Sequence, residues 1–296
     1  MDRRQEIREL QRLSPEEMVR RAEGRLVVVD DLEILHQHCA AEIAAEIAAN
    51  NDAGQPTRLI LPVGPTGQYP LLWQLINERG ISLANCWFFF MDEYCDEQGV
   101  AVTADHPLSF RGEMQGIFFN HIAPELRIPE EQLFFPDHEN VSTLAGRIDD
   151  VGGIDTCYGG IGIHGHVAFN EPEPGVAESD PRVVELNDFT VTMNAIRAHV
   201  GGNVEGFPRK AVTLGMRQIL GARRIRLYCR NGGPYDWANT VLRLALFGEP
   251  GDDYPVTHIR GKDYVLTTDR ETAAVPQVIL QAQRNRSSDS REAKTK

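Results

Sequence analysis

The sequence has little positive charge, a polar N-terminus and no long apolar segment. Its 296 residues carry 30 Lys and Arg against 43 Asp and Glu, which gives a formal net charge of −13. This acidity argues against a nucleic-acid partner, because phosphate binding needs a basic surface. The apolar stretches fall well short of the ~18 residues of a membrane span. The N-terminus is too polar for a signal peptide, so a cytoplasmic protein with no membrane partner is expected.

Cysteines are also few. Five occur singly, with no Cys-x-x-Cys pair, and this odd, scattered set is typical of reduced thiols. Cys86, Cys157 and Cys229 lie inside apolar runs, where a free cysteine packs as a small hydrophobe. The three are therefore predicted to be core residues.

Linkers and internal repeats are absent as well. No segment rich in proline, glycine or serine divides the chain, so a single domain over 25–282 is predicted. A helical extension over 1–24 precedes it, with a helix start at Ser14-Pro15. The tail over 283–296 is polar, lacks apolar anchors and is predicted to be disordered.

Short apolar runs rich in β-branched and aromatic residues alternate with longer helical patterns. The runs predict buried parallel strands at 26–29, 58–63, 87–91, 156–161, 225–229 and 264–266. Helices are predicted at 31–49, 71–78 and 237–247. This alternation indicates an α/β fold, a doubly wound, mostly parallel sheet with helices on both faces. Ligands bind outside the carboxyl ends of such strands.

A glycine-rich turn, Gly64-Pro65-Thr66-Gly67, follows the second predicted strand and precedes a helix. Such a turn presents backbone N–H groups and a helix N-terminus to an anion. The alternative is that it is only a tight connection. Gly64, Thr66 and Gly67 are the candidate substrate-binding residues of this turn.

Two carboxylates, Asp92 and Glu93, stand at the end of the third predicted strand. A buried charge is costly unless it is paired or used. One interpretation is a general base whose pKa is adjusted by a partly dry site. The other is helix capping or a solvated turn.

Two histidines and a glutamate lie close together after the fourth predicted strand. His164, His166 and Glu171 fall within eight residues, behind a glycine-rich strand end that lets the chain turn tightly. A histidine with a carboxylate partner shuttles protons near neutral pH. A polar surface loop is the alternative. His36 and His38, in the first predicted helix after the extension, are expected to be surface or packing groups.

These segments resemble the glucosamine-6-phosphate deaminase family. The resemblance rests on His166-Val167-Ala168-Phe169-Asn170-Glu171-Pro172 and Phe90-Met91-Asp92-Glu93-Tyr94, with further stretches in order at 61–67, 105–110 and 208–215. It covers roughly residues 25–275. It implies a Rossmann-like single domain, aldose–ketose chemistry on an amino sugar phosphate, and a homo-oligomer. No cofactor is expected.

The resemblance also implies roles for individual residues. Asp92 matches the base that moves a proton between C2 and C1, and His166 matches the residue that opens the pyranose ring, with Glu171 orienting it. The two tasks need different pKa values. The implied substrate-binding residues are Gly64, Thr66, Gly67, Glu93, Asn170 and Arg197.

The sequence departs from the family in the same places. His164 stands where the family has aspartate, which removes an anion and adds a titratable ring. Pro65 removes a backbone N–H from the turn, and the lysine that the family places after the strand at 225–229 is missing from Asn231-Gly232-Gly233-Pro234. The sequence therefore predicts an altered substrate or anion.

Two other functions follow from these departures. His164 and His166, with Asp92 or Glu171, have the spacing to bind a metal in a metal-assisted isomerase or hydrolase. A non-catalytic sugar-binding protein, like the sugar-sensing transcription regulators, is the second alternative. The ~25 residues before the first strand cannot hold a complete helix-turn-helix domain, which argues against a regulator.

Overall fold

The large sheet is parallel and lies between two layers of helices. The computed structural model describes residues 2–233, 236–279 and 281. The strands are β1 (Leu26–Val29), β2 (Thr57–Leu61), β3 (Cys86–Phe90), β4 (Asp92–Cys95), β5 (Leu133–Phe134), β6 (Thr156–Gly160), β7 (Arg182–Glu185), β8 (Lys210–Thr213), β9 (Arg224–Cys229) and β10 (Tyr264–Asp269). Seven form one sheet in the order β1-β10-β9-β6-β2-β3-β5, with every pair parallel.

The α-helices connect these strands. They are α1 (Arg3–Leu10), α2 (Pro15–Ala22), α3 (Leu32–Asp52), α4 (Tyr69–Arg79), α5 (Phe110–Ile117), α6 (Leu144–Asp150), α7 (Asp188–Arg197), α8 (Met216–Leu220), α9 (Ala238–Phe247) and α10 (Arg270–Ala273). Short 3-10 turns lie at Phe119–His121, Pro124–Leu126, Glu130–Gln132, Ile163–Gly165, Val176–Glu178 and Pro255–Ile259. No helical segment within the described residues has the apolar length of a membrane span.

Side chains alternate across the sheet into two cores. In β2, Ile60 joins one buried cluster while Leu59 and Leu61 join the other, because successive strand residues point to opposite faces. Helix α9 belongs to the first cluster and α3 to the second. The predicted doubly wound α/β fold, with helices on both faces, is confirmed, and all six predicted strands lie in the large sheet.

A second, antiparallel sheet was not predicted. It has three strands in the order β4-β8-β7, and Asp92 in β4 is opposite Thr213 in β8. The β4 sequence Asp-Glu-Tyr-Cys is buried throughout, so it lacks the alternation of apolar and polar residues that marks a half-buried strand. Strand bounds also shift: the run predicted at 264–266 continues to Asp269.

The N-terminal segment packs against the first core. Ser14 caps α2 at the predicted start, its Oγ accepting from the Glu17 N–H at 3.2 Å. Leu13 and Met18 join the buried cluster that contains α9. The buried Arg243 guanidinium of α9 donates to the Leu13 carbonyl at 3.1 Å. The domain boundaries stay predictions, and the tail predicted over 283–296 lies outside the described residues.

The thiols are core groups, as predicted. All five cysteines are buried and free, and Cys86, Cys157 and Cys229 are each at most 1% exposed. Burial raises the pKa of the Cys86 thiol to about 12. These side chains therefore pack as hydrophobes and offer no reactive thiolate.

Candidate active site

Asp92 stands where the chain leaves the parallel sheet. The preceding residue bridges the two sheets: the Met91 N–H donates to the Leu61 carbonyl of β2, and the Leu214 N–H donates to the Met91 carbonyl. Asp92 then opens β4 at the carboxyl end of β3 and is 6% exposed. This is the edge of an α/β sheet at which ligands bind.

The Asp92 carboxyl is poised to take up a proton near neutral pH. Burial, followed by the neighbouring charge of Glu93, raises its pKa to about 8. Both effects disfavour the charged form. A carboxylate with a pKa close to the working pH is a much stronger base than an exposed one, which suits it to removing a proton from carbon.

The Glu93 carboxylate caps the N-terminus of helix α5. Its carboxylate accepts hydrogen bonds from the Ser109 hydroxyl and from the Phe110 and Arg111 N–H groups, all at 2.9 Å. The Tyr94 N–H adds a fourth at 3.0 Å. These bonds satisfy the first turn of α5, whose N–H groups lack partners within the helix. Glu93 is 3% exposed and has this structural role, and the contact with substrate stays a prediction.

His166 lies on a turn that only glycine permits. A Cβ added at Gly162 would come within 1.9 Å of His166 Nε2, so the imidazole occupies the space that any other side chain would fill. Burial, then the nearby His164 and Arg197, lowers the pKa of His166 to about 4. The ring is therefore neutral near pH 7, and its buried Nδ1 has no hydrogen-bond partner among the described residues.

Neither Glu171 nor His164 forms a hydrogen bond with this ring in the described structure, although the charge of His164 acts on it. Glu171 Oε2 accepts from the Asn187 N–H at 2.8 Å, whereas its Oε1 is buried and unpartnered in the described structure. Burial raises the pKa of Glu171. His164 adopts a left-handed conformation, with φ of 59°, and packs edge-on against Phe189. Glu171 and His166 thus form no hydrogen bond in the described structure, and the orientation of His166 by Glu171 stays a prediction.

The Asn170 side chain forms hydrogen bonds that hold its own loop in place. Its Nδ2 donates to the Val167 and Leu214 carbonyls at 3.0 and 2.9 Å. Its Oδ1 accepts from Arg182 at 2.9 Å and from Ser179 at 3.2 Å. These bonds fasten the histidine loop to the end of β8. Asn170 therefore positions this loop, and its contact with substrate stays a prediction.

The glycine-rich turn packs against His36. A Cβ on Gly67 would come within 2.2 Å of the His36 ring, which explains why glycine is needed there. His36 is half-buried, and burial, then the charge of Arg230, lowers its pKa. His36, Pro65 and Arg230 line a small pocket with Gly159. His36, predicted to be a surface or packing group, thus lines a pocket at the edge of the sheet.

Arg230 is the site residue that sequence analysis missed. It directly follows β9, close to where the family's lysine was sought. The rule that located Asp92, a charged residue immediately after an apolar strand, also applies to Arg230 and was the available signal. Among the turn residues, Thr66 is half-buried and Gly64 is exposed.

Arg197 approaches from α7. Its guanidinium lies 4.4 Å from the centroid of the Trp237 ring, a cation–π contact. A Cβ on Gly232 would lie 3.0 Å from Arg197 Nη2, so the side chain reaches the loop after β9. The structure therefore brings Arg197 close to Arg230 and to His166, since its charge interacts with both.

The metal alternative has no complete ligand set. Within the described residues, no group of three His, Cys, Asp or Glu side chains is arranged to hold a metal ion. His164 faces Phe189, whereas the His166 ring lies on Gly162. The two histidines therefore do not converge with a carboxylate as the sequence spacing predicted.

No protein-family model matches the chain. Individual relatives do, and three of them are glucosamine-6-phosphate deaminases. The chain is 32% identical to that of Phocaeicola vulgatus over 212 residues, which are 69% of this chain and 77% of the relative. It is 33% identical to that of Thermoanaerobacter sp. over 242 residues, covering 78% and 89%. It is 28% identical to that of Clostridium perfringens over 258 residues, covering 84% and 98%.

Solved structures are also similar to this chain. A monomeric glucosamine-6-phosphate deaminase superposes with a TM-score of 0.73 at 26% identity, covering 85% of this chain and all of that one. A 6-phosphogluconolactonase from Thermotoga maritima superposes with a TM-score of 0.61 at 15% identity, covering 82% and 98%, which shows a shared fold only. The sequence identities and coverage place the chain among enzymes, and it belongs to the glucosamine-6-phosphate deaminase family.

Proposed function

We propose that the chain isomerises and deaminates an amino sugar phosphate, with Asp92 as the base that moves a proton between C2 and C1. The observation that carries this proposal is the burial of Asp92 at the carboxyl end of β3, where its pKa is raised to about 8. Removing a proton from carbon requires a base matched to the working pH. Enzyme relatives of the same family argue against the non-catalytic sugar-binding alternative.

The reaction begins with ring opening at His166. Its neutral imidazole takes the proton of the anomeric hydroxyl and delivers it to the ring oxygen as the C1–O5 bond breaks. Asp92 then takes the C2 proton, the C1 oxygen takes a proton from water, and an enol forms between C1 and C2. Return of the proton to C1 gives the ketose imine, and water releases ammonia from C2. Ring opening and proton transfer thus use two groups, His166 and Asp92, whose environments give them different pKa values.

Glu171 orients His166 when substrate is bound. Glu171 Oε1 and His166 Nδ1 are both buried and unpartnered in the described structure. Catalytic hydrogen bonds are often long in the absence of substrate and shorten in the complex. An N–H at Nδ1 donating to Glu171 would hold the tautomer that leaves Nε2 free to accept a proton.

The anionic end of the substrate binds between Arg197, Arg230 and the turn at 64–67. Arg230 takes the place of the missing lysine, and its positive charge acts on both Arg197 and His36. A guanidinium binds phosphate oxygens through two parallel hydrogen bonds, which a lysine cannot do. Pro65 removes one N–H from the turn, and the second guanidinium compensates for this loss.

Association and location extend this proposal. The family resemblance predicts a homo-oligomer, although one solved relative is a monomeric glucosamine-6-phosphate deaminase. A cytoplasmic enzyme fits the buried free thiols, because such compartments keep cysteines reduced. Sedimentation at several concentrations would measure the oligomeric state.

Ammonia release and ketose formation test the function directly. The substrates are glucosamine 6-phosphate and unphosphorylated glucosamine, compared with Asp92→Asn and with the matched control Asp263→Asn. Asp263 lies at the opposite end of the sheet, just before β10, and is exposed. We expect turnover of the phosphate ester by the wild-type chain and by Asp263→Asn only. Full activity in Asp92→Asn would refute the mechanism.

A further inference from the structure

A half-open cavity of about 500 Å³ lies beside α5. It is lined by α5, the loop that follows it and the edge strand β5. Its volume falls in the range of small-molecule sites. None of the residues assigned to the proposed reaction lines it.

The cavity has an apolar floor and a basic rim. The floor consists of Leu83, Phe119, Ile122, Ile128, Leu133 and Phe135. Four of these, Leu83, Ile122, Ile128 and Phe135, are less than 9% exposed. Arg111 and Arg127 stand at the rim, both exposed, together with Gln115 and Glu130. This combination fits a ligand that has an apolar body and an anionic group.

The two guanidiniums are only partly neutralised. Arg111 forms an ion pair with Asp137 at 3.4 Å, at a solvent-exposed position where such pairs are weak. Arg127 donates from Nε to the Ile122 carbonyl at 3.0 Å, and the described residues give it no carboxylate partner within 4.0 Å. In a chain of net charge −13, two cations facing one apolar cavity mark a local site for an anion.

The floor is aromatic and contacts β3, the strand that precedes the candidate base in the sequence. Phe135 stacks face to face on Phe90 of β3, with ring centroids 4.0 Å apart, and Arg111 lies 5.3 Å above the Phe135 ring. Arg111 thus covers the face of Phe135 that Phe90 leaves free. An apolar group in the cavity would therefore contact Phe119 and the other floor residues beside this guanidinium.

Arg111 also joins the cavity to Asp92 through the backbone. The Arg111 N–H donates to Glu93, the direct neighbour of Asp92. A ligand that shifts the first turn of α5 therefore changes the hydrogen bonds that hold the Glu93 charge in place. Such a change in the position of the Glu93 charge acts on Asp92, its neighbour in the sequence and in space.

We propose that this cavity binds a small organic anion with a flat apolar body, and that its occupation alters turnover through α5 and Glu93. The binding half is independent of the proposed function, whereas the effect on turnover rests on it. The anionic group is a carboxylate or a phosphate, and the guanidiniums recognise both.

Isothermal titration of the full chain with three matched probes tests the binding. The probes are 1-naphthoate, 1-naphthyl phosphate and the neutral 1-naphthol, and the two anions distinguish carboxylate from phosphate. We expect saturable binding of at least one anion, at least tenfold tighter than that of 1-naphthol. The double variant Arg111→Gln/Arg127→Gln should weaken it at least tenfold, whereas Arg20→Gln, an exposed arginine on α2, should not.

Two further measurements separate the parts of the proposal. Ile128→Trp fills the cavity without removing a charge and should also abolish binding. Absence of saturable binding, or equal affinity in the double variant, overturns the site. Binding that leaves kcat/KM unchanged at every pH overturns the coupling alone. A wild-type chain that binds the probe and turns over no amino sugar overturns the proposed function and leaves the binding site standing.

Discussion

The Glu93 carboxylate accepts the backbone N–H of Arg111 at 2.9 Å. The residue next to the candidate base thus caps α5, and its charge is fixed beside Asp92 by four donors. A negative group held in this position disfavours ionisation of its neighbour. The basicity of Asp92 therefore depends on a helix cap as well as on burial.

Glu93→Gln should lower the pKa of Asp92, because the neighbouring negative charge is removed. The acid limb of the kcat/KM profile should move to lower pH, with activity retained. Stability should fall by about 1–3 kcal/mol, since an amide cannot accept all four hydrogen bonds. Urea unfolding and a pH–rate profile measure the two effects, with the exposed Glu23→Gln as control. An unmoved acid limb would show that Glu93 does not influence the base.

Asp92→Asn should stabilise the fold at alkaline pH. The folded pKa of about 8 exceeds the unfolded value of about 3.9, so the folded state binds the extra proton between these values. Wild-type stability therefore falls as pH rises through that window. At pH 8 the variant should be more stable by about 5 kcal/mol, and at pH 4 by little.

Denaturant unfolding at the two pH values measures this difference. Asp263→Asn, at an exposed position, should give no gain at either pH. A gain for Asp92→Asn that does not depend on pH would mean that ionisation of Asp92 is not what costs stability. A gain at pH 8 alone would identify Asp92 as a residue retained for activity at the expense of stability.

His164→Asp should raise the pKa of His166. The carboxylate replaces a ring whose positive charge disfavours protonation of His166, and it favours the imidazolium instead. We expect an upward shift of at least one unit in an NMR titration of His166, and a smaller shift in the neutral His164→Asn. Equal titration curves for the wild-type chain and both variants would rule out His164 as a determinant of the state of His166.

Arg230→Gln should raise KM for glucosamine 6-phosphate at least tenfold, because one of two guanidiniums facing the phosphate is lost. Turnover of any unphosphorylated amino sugar should change less than twofold. Arg223→Gln is the matched control, since Arg223 is exposed and pairs with Asp155 at the opposite end of the sheet. Equal losses on both kinds of substrate would place the phosphate elsewhere.

The apolar strands could be predicted from the sequence, whereas the contacts that each polar side chain makes could not. Runs such as 87–91 are apolar throughout because both faces of a parallel sheet are covered, so the large sheet follows from the sequence. Strand β4 is buried but polar, and its pairing with β8 depends on residues more than 100 positions away. That antiparallel sheet is therefore evident only from the contacts between residues in the folded structure.

The same limit applies within the site. Asp92 and Glu93 both follow the rule that functional groups stand at strand ends. The structure distinguishes them, because the Glu93 carboxylate accepts hydrogen bonds from the start of α5, while the Asp92 carboxylate has no hydrogen bond among the described residues. Arg230 satisfied the rule and was passed over because the expected residue was a lysine.

Turnover of glucosamine 6-phosphate in D₂O, with the ketose product analysed for deuterium at C1, tests the role of Asp92 most directly. A base that exchanges with solvent between C2 and C1 should place deuterium at C1 in the wild-type product. Asp92→Asn should form no labelled ketose, and Asp263→Asn should match the wild type. Labelled ketose formed by Asp92→Asn at the wild-type rate would contradict the assignment of Asp92 as the base.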